Sequence, residues 1–422
     1  MNRPEDLSVQ EALALVLARV SVLSAETVPL PEALGRVLAA PVVAHDSLPP
    51  FANSSMDGYA LRAADVSAAT AESPAELRVV GDVAAGAAPT VIVEPGKAVR
   101  IMTGAPLPEG ADAVVPVEDT DEPWRGAERP LPSHVAVRRA VRAGDYVRYP
   151  GEDIRAGTTV LEAGHVLRPQ EIGVLASLGV GQAPVVRRPR VGVLSTGDEL
   201  IAVDEPLRPG KIRNSNSYAQ AAQVQALGGV PVPLGVAADR EEDVRAKLDA
   251  AVAAQVDLLV SSAGVSVGAY DVVKHVLDRA GQVNFWRVRM RPGKPLAFGD
   301  YRGIPYLGLP GNPVSALVSF ETFARPAILK MAGHERLDRP AVRAILLEDI
   351  RSDGRESYVR AVVARDTRGR GYVAVTTGSQ GSHIMTSLVA ANALLIVPEG
   401  VTAVAAGTEL TALMIDWPES VF

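Results

Sequence analysis

Apolar and polar positions follow different patterns in different stretches of the chain. Near the amino terminus, apolar residues recur at helical spacing from Ser8 to Val20, behind a Ser8–Glu11 pair typical of a capping box. This pattern predicts an amphipathic helix. From Pro29 to about Pro150, short apolar runs broken by Gly and Pro predict a β-rich segment, and the clearest runs are Leu77–Val80, Ala98–Met102, Ala113–Val117 and His134–Val137.

From Arg190 to Gly333, strand-like and helix-like stretches alternate. The predicted strands are Val191–Leu194, Val230–Leu234, Val256–Val260 and Ile304–Leu307. The predicted helices are Ser217–Leu227, Glu241–Ala254, Val272–Ala280 and Val314–Met331. Such alternation indicates a three-layer α/β domain with a largely parallel sheet, in which ligands bind at the carboxyl ends of strands. Beyond Arg339, β-type runs predict a small C-terminal barrel or sandwich, and they are Val342–Leu347, Tyr358–Val363, Tyr372–Val375 and Ala393–Val397.

Composition narrows the classes of function. A chain of 422 residues is too long for one core, and 47% hydrophobic with 22% charged residues is typical of a globular protein. A net charge of −7 without a basic block argues against nucleic acid as a partner. Apolar runs long enough to span a membrane are missing, and acidic residues occupy Met1–Gln10, where a signal peptide would be basic and then apolar. We therefore expect a cytoplasmic protein that has no membrane partner.

The complete lack of cysteine limits any metal site to oxygen and imidazole ligands. The six histidines include no pair at metal-binding helical spacing, which argues against zinc. A metal in this protein should therefore be hard, such as Mg²⁺.

Polar loops follow the strands of the predicted α/β domain. After Val191–Leu194 come Ser195, Thr196, Gly197, Asp198 and Glu199, whose hydroxyls and carboxylates suit a polar ring or Mg²⁺, although a capped turn is the alternative. In the next loop, Asn214 and Ser215 can cap a helix or accompany its amides at an anion. The loop after Val256–Val260 has the form of a phosphate cradle or of a plain flexible loop, and its candidates are Ser262, Gly264, Ser266 and Gly268.

Two further loops carry cations and rigid turns. Arg291 and Lys294 lie in a Pro-bounded turn that fits an oxyanion or a polyphosphate, unless it is a solvated basic turn. The loop at 308–315 leads into a helix and offers Pro310, Gly311, Asn312, Pro313 and Ser315. In the β-rich segment, Asp57 and Thr103 each precede a glycine and could be turn residues or site residues.

Ten motifs occur in the order seen in one family, and together they span essentially the whole chain. They are NSSMDGYA, RIMTGAPLPEGADAVVPVED, YPGEDIRAG, LASLGV, STGDEL, IRNSNSY, SAGVSVGAYD, RPGKP, GLPGNPVSA and GSQGSHIMTSLVAANALLIVPEG. On these motifs the chain resembles the MoeA and gephyrin E-domain family, the molybdopterin molybdotransferases.

The resemblance implies four domains and an activity. The domains are a helical and extended linking domain at 1–28 and 145–188, a β-rich lid domain at 29–144, an α/β molybdopterin-binding domain at 189–333 and a C-terminal β-barrel domain at 334–422. Family members insert molybdenum from molybdate into adenylylated molybdopterin, releasing AMP and molybdenum cofactor, with a divalent metal, here Mg²⁺. The resemblance also implies a homodimer whose cleft joins the α/β domain to the partner's lid domain. Pterin adenylyltransferase and molybdoenzymes are further candidate partners.

Motif positions imply the roles of individual residues. The lid would contribute Asp57 and Thr103, while the acidic, metal-holding residues would be Glu199, Asp239 and Asp271. The molybdate and phosphate side would be Arg291, Lys294, Pro310, Pro313 and Ser315. Arg291 stands where lysine is common and Ala263 where a second glycine is common, and residues 118–136 match only loosely.

Two other functions share part of this pattern. A pterin adenylyltransferase of the MogA type has similar TGDE and Gly-rich loops but normally only the one α/β domain. A non-catalytic scaffold is the second alternative, because gephyrin also binds receptor tails. The retained Asp57, Glu199 and Lys294 favour the insertion enzyme over a scaffold. Molybdate and tungstate have the same charge and almost the same size, so these residues suit either oxyanion.

Overall fold

The computed structural model describes residues 6–122, 130–262, 272–280, 283–367, 369 and 371–416. Contacts divide the chain into two units. One contains Met1–Val28, Ala33–Ala39 and Pro184–Phe422, and the other contains Pro29–Glu32 and Ala40–Ala183. The finer division into four domains stays a prediction. No helix in the described ranges is long and apolar enough to cross a membrane.

A seven-stranded sheet forms the centre of the first unit. Its strands lie in the order Asp6–Leu7, Val283–Val288, Pro295–Tyr301, Ile304–Leu309, Leu258–Ser262, Arg190–Thr196 and Val230–Ala237. The last four are parallel to one another, while Pro295–Tyr301 is antiparallel to both neighbours. The predicted parallel sheet is confirmed. The sequence interpretation omitted Asp6–Leu7, Val283–Val288 and Pro295–Tyr301.

Helices cover both faces of this sheet, which confirms the three-layer α/β fold. Val9–Ala18, Asn216–Ala226, Pro313–Ser319 and Arg325–Met331 contribute to the core on one face. Glu241–Ala253 and Val272–Ala280 contribute to the core on the other face. The first helix begins as predicted, because Ser8 and Glu11 form the reciprocal hydrogen bonds of a capping box.

The helix predicted at 314–331 is interrupted. A π-helical segment, Phe320–Ala324, separates Pro313–Ser319 from Arg325–Met331. Pro326 explains the interruption, because proline lacks the amide for an α-helical bond and its ring crowds the preceding turn. The amide of Arg325 reaches back to the carbonyl of Phe320, which is the hydrogen bond of a π-helix.

A closed five-stranded barrel follows, which confirms the predicted C-terminal β domain. Its strands are Ala341–Leu346, Glu356–Arg365, Tyr372–Thr376, Ala393–Val397 and Glu409–Met414. Each pairs with two others, so the ring closes without an unpaired edge. Met290–Arg291 adds to the outside of the ring as a parallel partner of Glu356–Ser357. Short strands at Ile350–Arg351 and Ala403–Val404 pair nearby, and Thr386–Val389 forms one helical turn.

The second unit contains a five-stranded sheet. Its strands lie in the order Ala113–Pro116, Gly58–Leu61, Lys97–Ile101, Ala75–Val83 and His134–Val137. All four strand runs predicted from this part of the sequence lie in the sheet. Its helix is Pro169–Ser177, and its short strand pairs are Val42–Val43 with Thr159–Leu161 and Asn53–Ser54 with Val147–Arg148. Its 3₁₀ turns are Leu30–Glu32, Ala63–Val66 and Val117–Asp119. In the first unit, Leu200–Ile201 pairs with Ile212–Arg213. The paired short strands Ala25–Pro29 and Gln182–Val186 contain residues of both units.

Substitution by alanine should have opposite effects on stability at two glycines of the second unit. A Cβ on Gly58 would lie 1.9 Å from the carbonyl oxygen of Val115, so Gly58→Ala should lower the free energy of unfolding by about 1–3 kcal/mol or more. A Cβ on Gly173 meets nothing within 4 Å, and Gly173→Ala in its helix should raise that free energy by about 1 kcal/mol. Chemical denaturation measures both changes. Equal stabilities of the two variants would contradict this description of the sheet.

Candidate functional site

A cavity of about 920 Å³ opens at the carboxyl ends of the parallel strands. Thr196, Ser262 and Pro310 line it, and each lies at or just after the end of a strand. The opposite wall comes from the barrel, through Arg355, Gln380, Gly381 and Ser382. The lining residues that the structure describes all belong to the first unit. The cavity therefore lies at the edge where the sequence predicted ligand binding.

Buried hydroxyl groups join the loops beneath the cavity. The Ser195 side chain is fully buried, and its Oγ lies 2.9 Å from Oγ of Ser262, 2.6 Å from Oγ of Ser217 and 3.0 Å from Oδ1 of Asn214. Since buried polar groups are costly without partners, these mutual bonds stabilise one arrangement of three loops. Ser195 therefore supports the floor, whereas Ser262 and Asn214 also line the cavity.

The two loops with rigid turns both line the cavity. Gly293 has φ of +113°, and a Cβ there would lie 2.4 Å from Oγ of the buried Ser319. Only glycine therefore fits at position 293, directly before Lys294. In the second loop, the carbonyl of Gly311 accepts a 2.8 Å hydrogen bond from the Asn216 side chain. The predicted residues of this loop all line the cavity: Pro310, Gly311, Asn312, Pro313 and Ser315.

Positive charge dominates the cavity wall. Six cationic side chains of the described residues line it, those of Arg213, Lys274, Arg287, Arg291, Lys294 and Arg355. Among the lining residues that the structure describes, Glu199 carries the only carboxylate. Fixed cations around a recess attract polyanions and hold them with charge-assisted hydrogen bonds. The cavity therefore suits a ligand with several negative charges.

Asp353, just outside the lining, pairs with two of these cations. Its carboxylate accepts hydrogen bonds from the Arg355 guanidinium and lies 3.7 Å from that of Arg291. The bonds from Arg355, with a smaller contribution from the charge of Arg291, hold the pKa of Asp353 below its usual range. The carboxylate therefore stays ionised near neutral pH, and it links the cation of the Arg291 turn to a cation of the barrel.

The predicted acidic residues are placed differently from one another. Glu199 lines the cavity together with Thr196 and Ser215. Asp198 and Asp239 instead join two loops, because each accepts a hydrogen bond from the amide of the other, at 3.2 and 3.4 Å. Neither of these two, nor Ser195 or Gly197, is among the residues that line the cavity.

Several predicted site residues fall in 263–271, outside the described residues. They are Gly264, Ser266, Gly268 and Asp271, the third member of the predicted acidic set. In the ranges that are described, no group of three or more His, Asp or Glu side chains is arranged to hold a metal ion. The three-carboxylate site predicted from Glu199, Asp239 and Asp271 thus stays a prediction.

In the second unit, the structure brings Asp57 and Thr103 together. They are 46 residues apart, yet the amide and the hydroxyl of Thr103 donate to Oδ1 of Asp57 at 2.7 and 2.8 Å. Both residues are exposed. The adjoining Gly58 packs so closely against Val115 that it fixes the backbone beside the carboxylate.

Sequence reasoning missed part of the cavity wall. The lining residues that were not predicted as site residues include Arg213, Lys274, Trp286, Arg287, Arg355, Gln380, Gly381 and Ser382. Gln380 to Ser382 belong to a Gly- and Ser-rich motif between strands, which is the same signal that identified the other loops. Trp286 and Arg287 lie on the strand Val283–Val288, where the apolar pattern predicted no strand.

Known proteins match this chain along nearly its whole length. Three family models match: the MoeA N-terminal region (domain I and II) at residues 7–179, a probable molybdopterin binding domain at 192–330, and the MoeA C-terminal region (domain IV) at 343–415. Molybdopterin molybdenumtransferase 2 of Mycobacterium tuberculosis is 43% identical over 410 residues, covering 96% of this chain and 98% of the relative.

Relatives of lower sequence identity also match over nearly the whole chain. Molybdopterin molybdenumtransferase of Haemophilus influenzae is 37% identical, covering 90% of this chain and 92% of its own. The crystal structure of the molybdopterin biosynthesis MoeA protein from Pyrococcus horikoshii OT3 superposes with a TM-score of 0.80 at 32% identity, covering 97% of this chain and 100% of that one. On this similarity along its whole length, the chain belongs to the molybdopterin molybdenumtransferases, a family of transferase enzymes.

Proposed function

We propose that this protein inserts molybdenum, supplied as molybdate, into adenylylated molybdopterin and releases AMP. The observation that carries the proposal is the cavity wall, where six cations and a single described carboxylate surround a recess at the strand ends. Adenylylated molybdopterin carries a pyrophosphate and a dithiolene, and molybdate is a dianion. Such substrates need fixed cationic donors more than they need acidic residues.

The proposed reaction breaks one phosphoanhydride bond. Water cleaves the bond between the pterin phosphate and the adenylate, which leaves two phosphate monoesters, one of them AMP. The two dithiolene sulfurs bind molybdenum, and their two thiol protons leave with one molybdate oxygen as a water molecule. Lys294 and Arg291 lie on one turn of the cavity and Arg355 on the facing barrel loop, so these cations can stabilise phosphate and molybdate charge from two sides.

One carboxylate of the described cavity wall suits a magnesium ion. Magnesium commonly binds through one or two carboxylates, and substrate phosphates and water complete its shell. Glu199 provides one carboxylate in the cavity, and the surrounding side-chain donors are oxygens rather than thiolates. When bound, the ion would neutralise charge on the pyrophosphate. We propose Glu199 as its protein ligand, with Asp239 and Asp271 as the further ligands that the family resemblance implies.

The alternative functions have less support. A pterin adenylyltransferase needs only the α/β domain, whereas here Arg355 and Ser382 of the barrel line the same cavity. A scaffold needs no recess lined by cations.

We expect AMP release and cofactor formation in equal amounts when the protein is given adenylylated molybdopterin, Mg²⁺ and molybdate. Pyrophosphate release from molybdopterin and ATP, without those products, would support the adenylyltransferase instead.

Lys294→Ala should weaken the use of molybdate more than it affects folding. Lys294 is exposed on its turn and has little packing to lose, while the oxyanion loses a charge-assisted donor of roughly 1.5–3 kcal/mol. The molybdate concentration for half-maximal rate should rise about tenfold or more. Lys247→Ala, on the helix Glu241–Ala253 and away from the cavity, is the control and should behave as the parent. If Lys294→Ala has an unchanged molybdate dependence, then Lys294 is only a solvated residue of the turn.

Glu199→Gln should raise the Mg²⁺ requirement. The amide keeps the size of the side chain but removes the negative charge that favours a divalent cation, so the Mg²⁺ concentration for half-maximal AMP release should rise about tenfold. The control is Glu205→Gln, because Glu205 pairs with Arg208 in the same loop and does not line the cavity. Normal AMP release in excess chelator, or the same metal dependence in both variants, would show that Glu199 is not a ligand of the Mg²⁺ ion.

We further predict a homodimer in which Asp57 and Thr103 of one subunit complete the cavity of its partner, as the family resemblance implies. Mixing inactive Asp57→Ala and Glu199→Ala homodimers and allowing subunit exchange should then restore about a quarter of the parent activity, since half of the dimers are mixed and each mixed dimer has one intact site. Each variant mixed with itself is the control. A fully active monomer in light scattering, or exchange without recovery, would contradict shared sites.

A further inference from the structure

Arg289 directly follows the sheet strand Val283–Val288, and its backbone is bonded to two other elements. Its amide donates to the carbonyl of Leu7 at 2.8 Å, and its carbonyl accepts from the amide of Glu356 at 3.0 Å. Leu7 ends the first strand of the chain, and Glu356 begins a barrel strand. The backbone of this one residue therefore joins the amino-terminal segment, residues 6–11, to the barrel.

The side chain of Arg289 joins the same two parts of the structure. On the side of the amino-terminal segment, its guanidinium donates to the carbonyl of Asp6 and lies 3.9 Å from the carboxylate of Glu11. On the other side, it pairs with Glu399 in a loop of the barrel. The hydrogen bond with Glu399 raises the pKa of this guanidinium, and the charges of Asp6 and Glu11 act in the same direction. One cation thus lies between carboxylates of the amino-terminal segment and a carboxylate of the barrel.

Both sides of this junction lead directly into the cavity wall. Two residues after Arg289, Arg291 lines the cavity from its turn. Directly before Glu356, Arg355 lines the cavity from the barrel, and its guanidinium donates to the carbonyl of Met290 at 3.0 Å. A displacement at Arg289 would therefore change the spacing between cations of the two walls.

Loss of the guanidinium should loosen this junction without unfolding the protein. The ion pairs are partly exposed, and such pairs contribute little to the stability of a fold. The backbone bonds to Leu7 and Glu356 remain in a side-chain variant. Glu11 and Glu399, however, would then repel each other instead of sharing a cation. The amino-terminal segment and the barrel loop would be held together less tightly.

We propose that Arg289 is a positioning residue, which links the amino-terminal segment to the barrel and so holds the two walls of the cavity at the spacing that binds substrate. The inference rests on the proposed function in one respect, because it takes molybdate as a ligand of both walls. Looser walls leave each cation chemically unchanged but reduce the fraction of molecules that are ready to bind. The apparent affinity falls by that fraction, while the rate of the fully bound enzyme is kept.

Distances between two spin labels test the spacing directly, because the chain contains no cysteine of its own. Glu242→Cys, on an exposed helix position of the α/β domain, and Ala405→Cys, in an exposed barrel loop, take the labels. Co-expression with excess cysteine-free chain keeps labels of different copies apart. We expect a distribution of distances about twice as wide in Arg289→Met as in the parent. Saturating molybdate should narrow it again, because the ligand selects the competent spacing.

Two further variants complete the distance measurement. Glu399→Gln breaks the same pair from the barrel side, so it should widen the distribution as well, and it carries the test if Arg289→Met does not fold. Arg343→Met is the matched control, because Arg343 forms an exposed pair with Glu409 within the barrel, and it should behave as the parent does. A parental distribution in folded Arg289→Met, or in Glu399→Gln where Arg289→Met does not fold, would overturn the inference. Equal widening in Arg343→Met would also overturn it.

Kinetics separate positioning from a direct catalytic role. In the AMP-release assay, Arg289→Met should raise the KM for molybdate about fivefold, while kcat at saturating molybdate stays within about twofold of the parent. A loss of kcat at unchanged KM would contradict positioning. A parent that releases no AMP, in a protein whose label distances change as expected, would overturn the proposed function alone.

Discussion

A short pairing between Met290–Arg291 and the barrel strand at Glu356–Ser357 joins the two walls of the cavity. Arg355 strengthens it, because its guanidinium donates a 3.0 Å hydrogen bond to the carbonyl of Met290. The pairing attaches the connection between the sheet strands Val283–Val288 and Pro295–Tyr301 to the wall of a closed barrel. The loops that end parallel strands therefore face a second wall of fixed geometry, where an isolated α/β domain would face solvent.

The distribution of charge follows from this arrangement. The α/β loops bring Arg291 and Lys294 to the recess, and the barrel brings Arg355 to its other side. Asp353 relieves repulsion between Arg291 and Arg355, but no carboxylate among the described residues pairs with the buried Arg360. The protein thus keeps an excess of positive charge next to the cavity. Such a preorganised field stabilises anionic groups without rearrangement at the moment of reaction.

Local patterns in the sequence predicted the order of layers and most of the loops. Alternating apolar runs gave the parallel strands, and Ser8 with Glu11 gave the start of the first helix. The break in the helix at 320–324 was not predicted, because apolar periodicity does not register the lost amide of Pro326. The barrel wall was also missed. Its approach to the strand ends depends on pairing between residues about 65 positions apart, which periodicity within a segment cannot express.

The candidate site shows the same division between local and long-range information. The turn around Gly293 and the loop from Pro310 to Ser315 could be identified from their own residues. The role of Asp239 could not, since its hydrogen bonds to Asp198 depend on how two separate strands end side by side. The burial of Arg360 is likewise a property of the closed barrel. From the sequence alone, a single arginine within a strand pattern is predicted to be exposed.

The central claim is that the recess between the strand ends and the barrel wall binds the oxyanion. Crystals soaked with tungstate test it most directly, because tungstate has the charge and nearly the size of molybdate and its tungsten atom gives a strong anomalous signal. The account predicts an anomalous peak inside the cavity, within hydrogen-bonding reach of groups from both walls, such as Lys294 and Ser382. Peaks only outside this cavity, with the cavity accessible in the crystal, would contradict it.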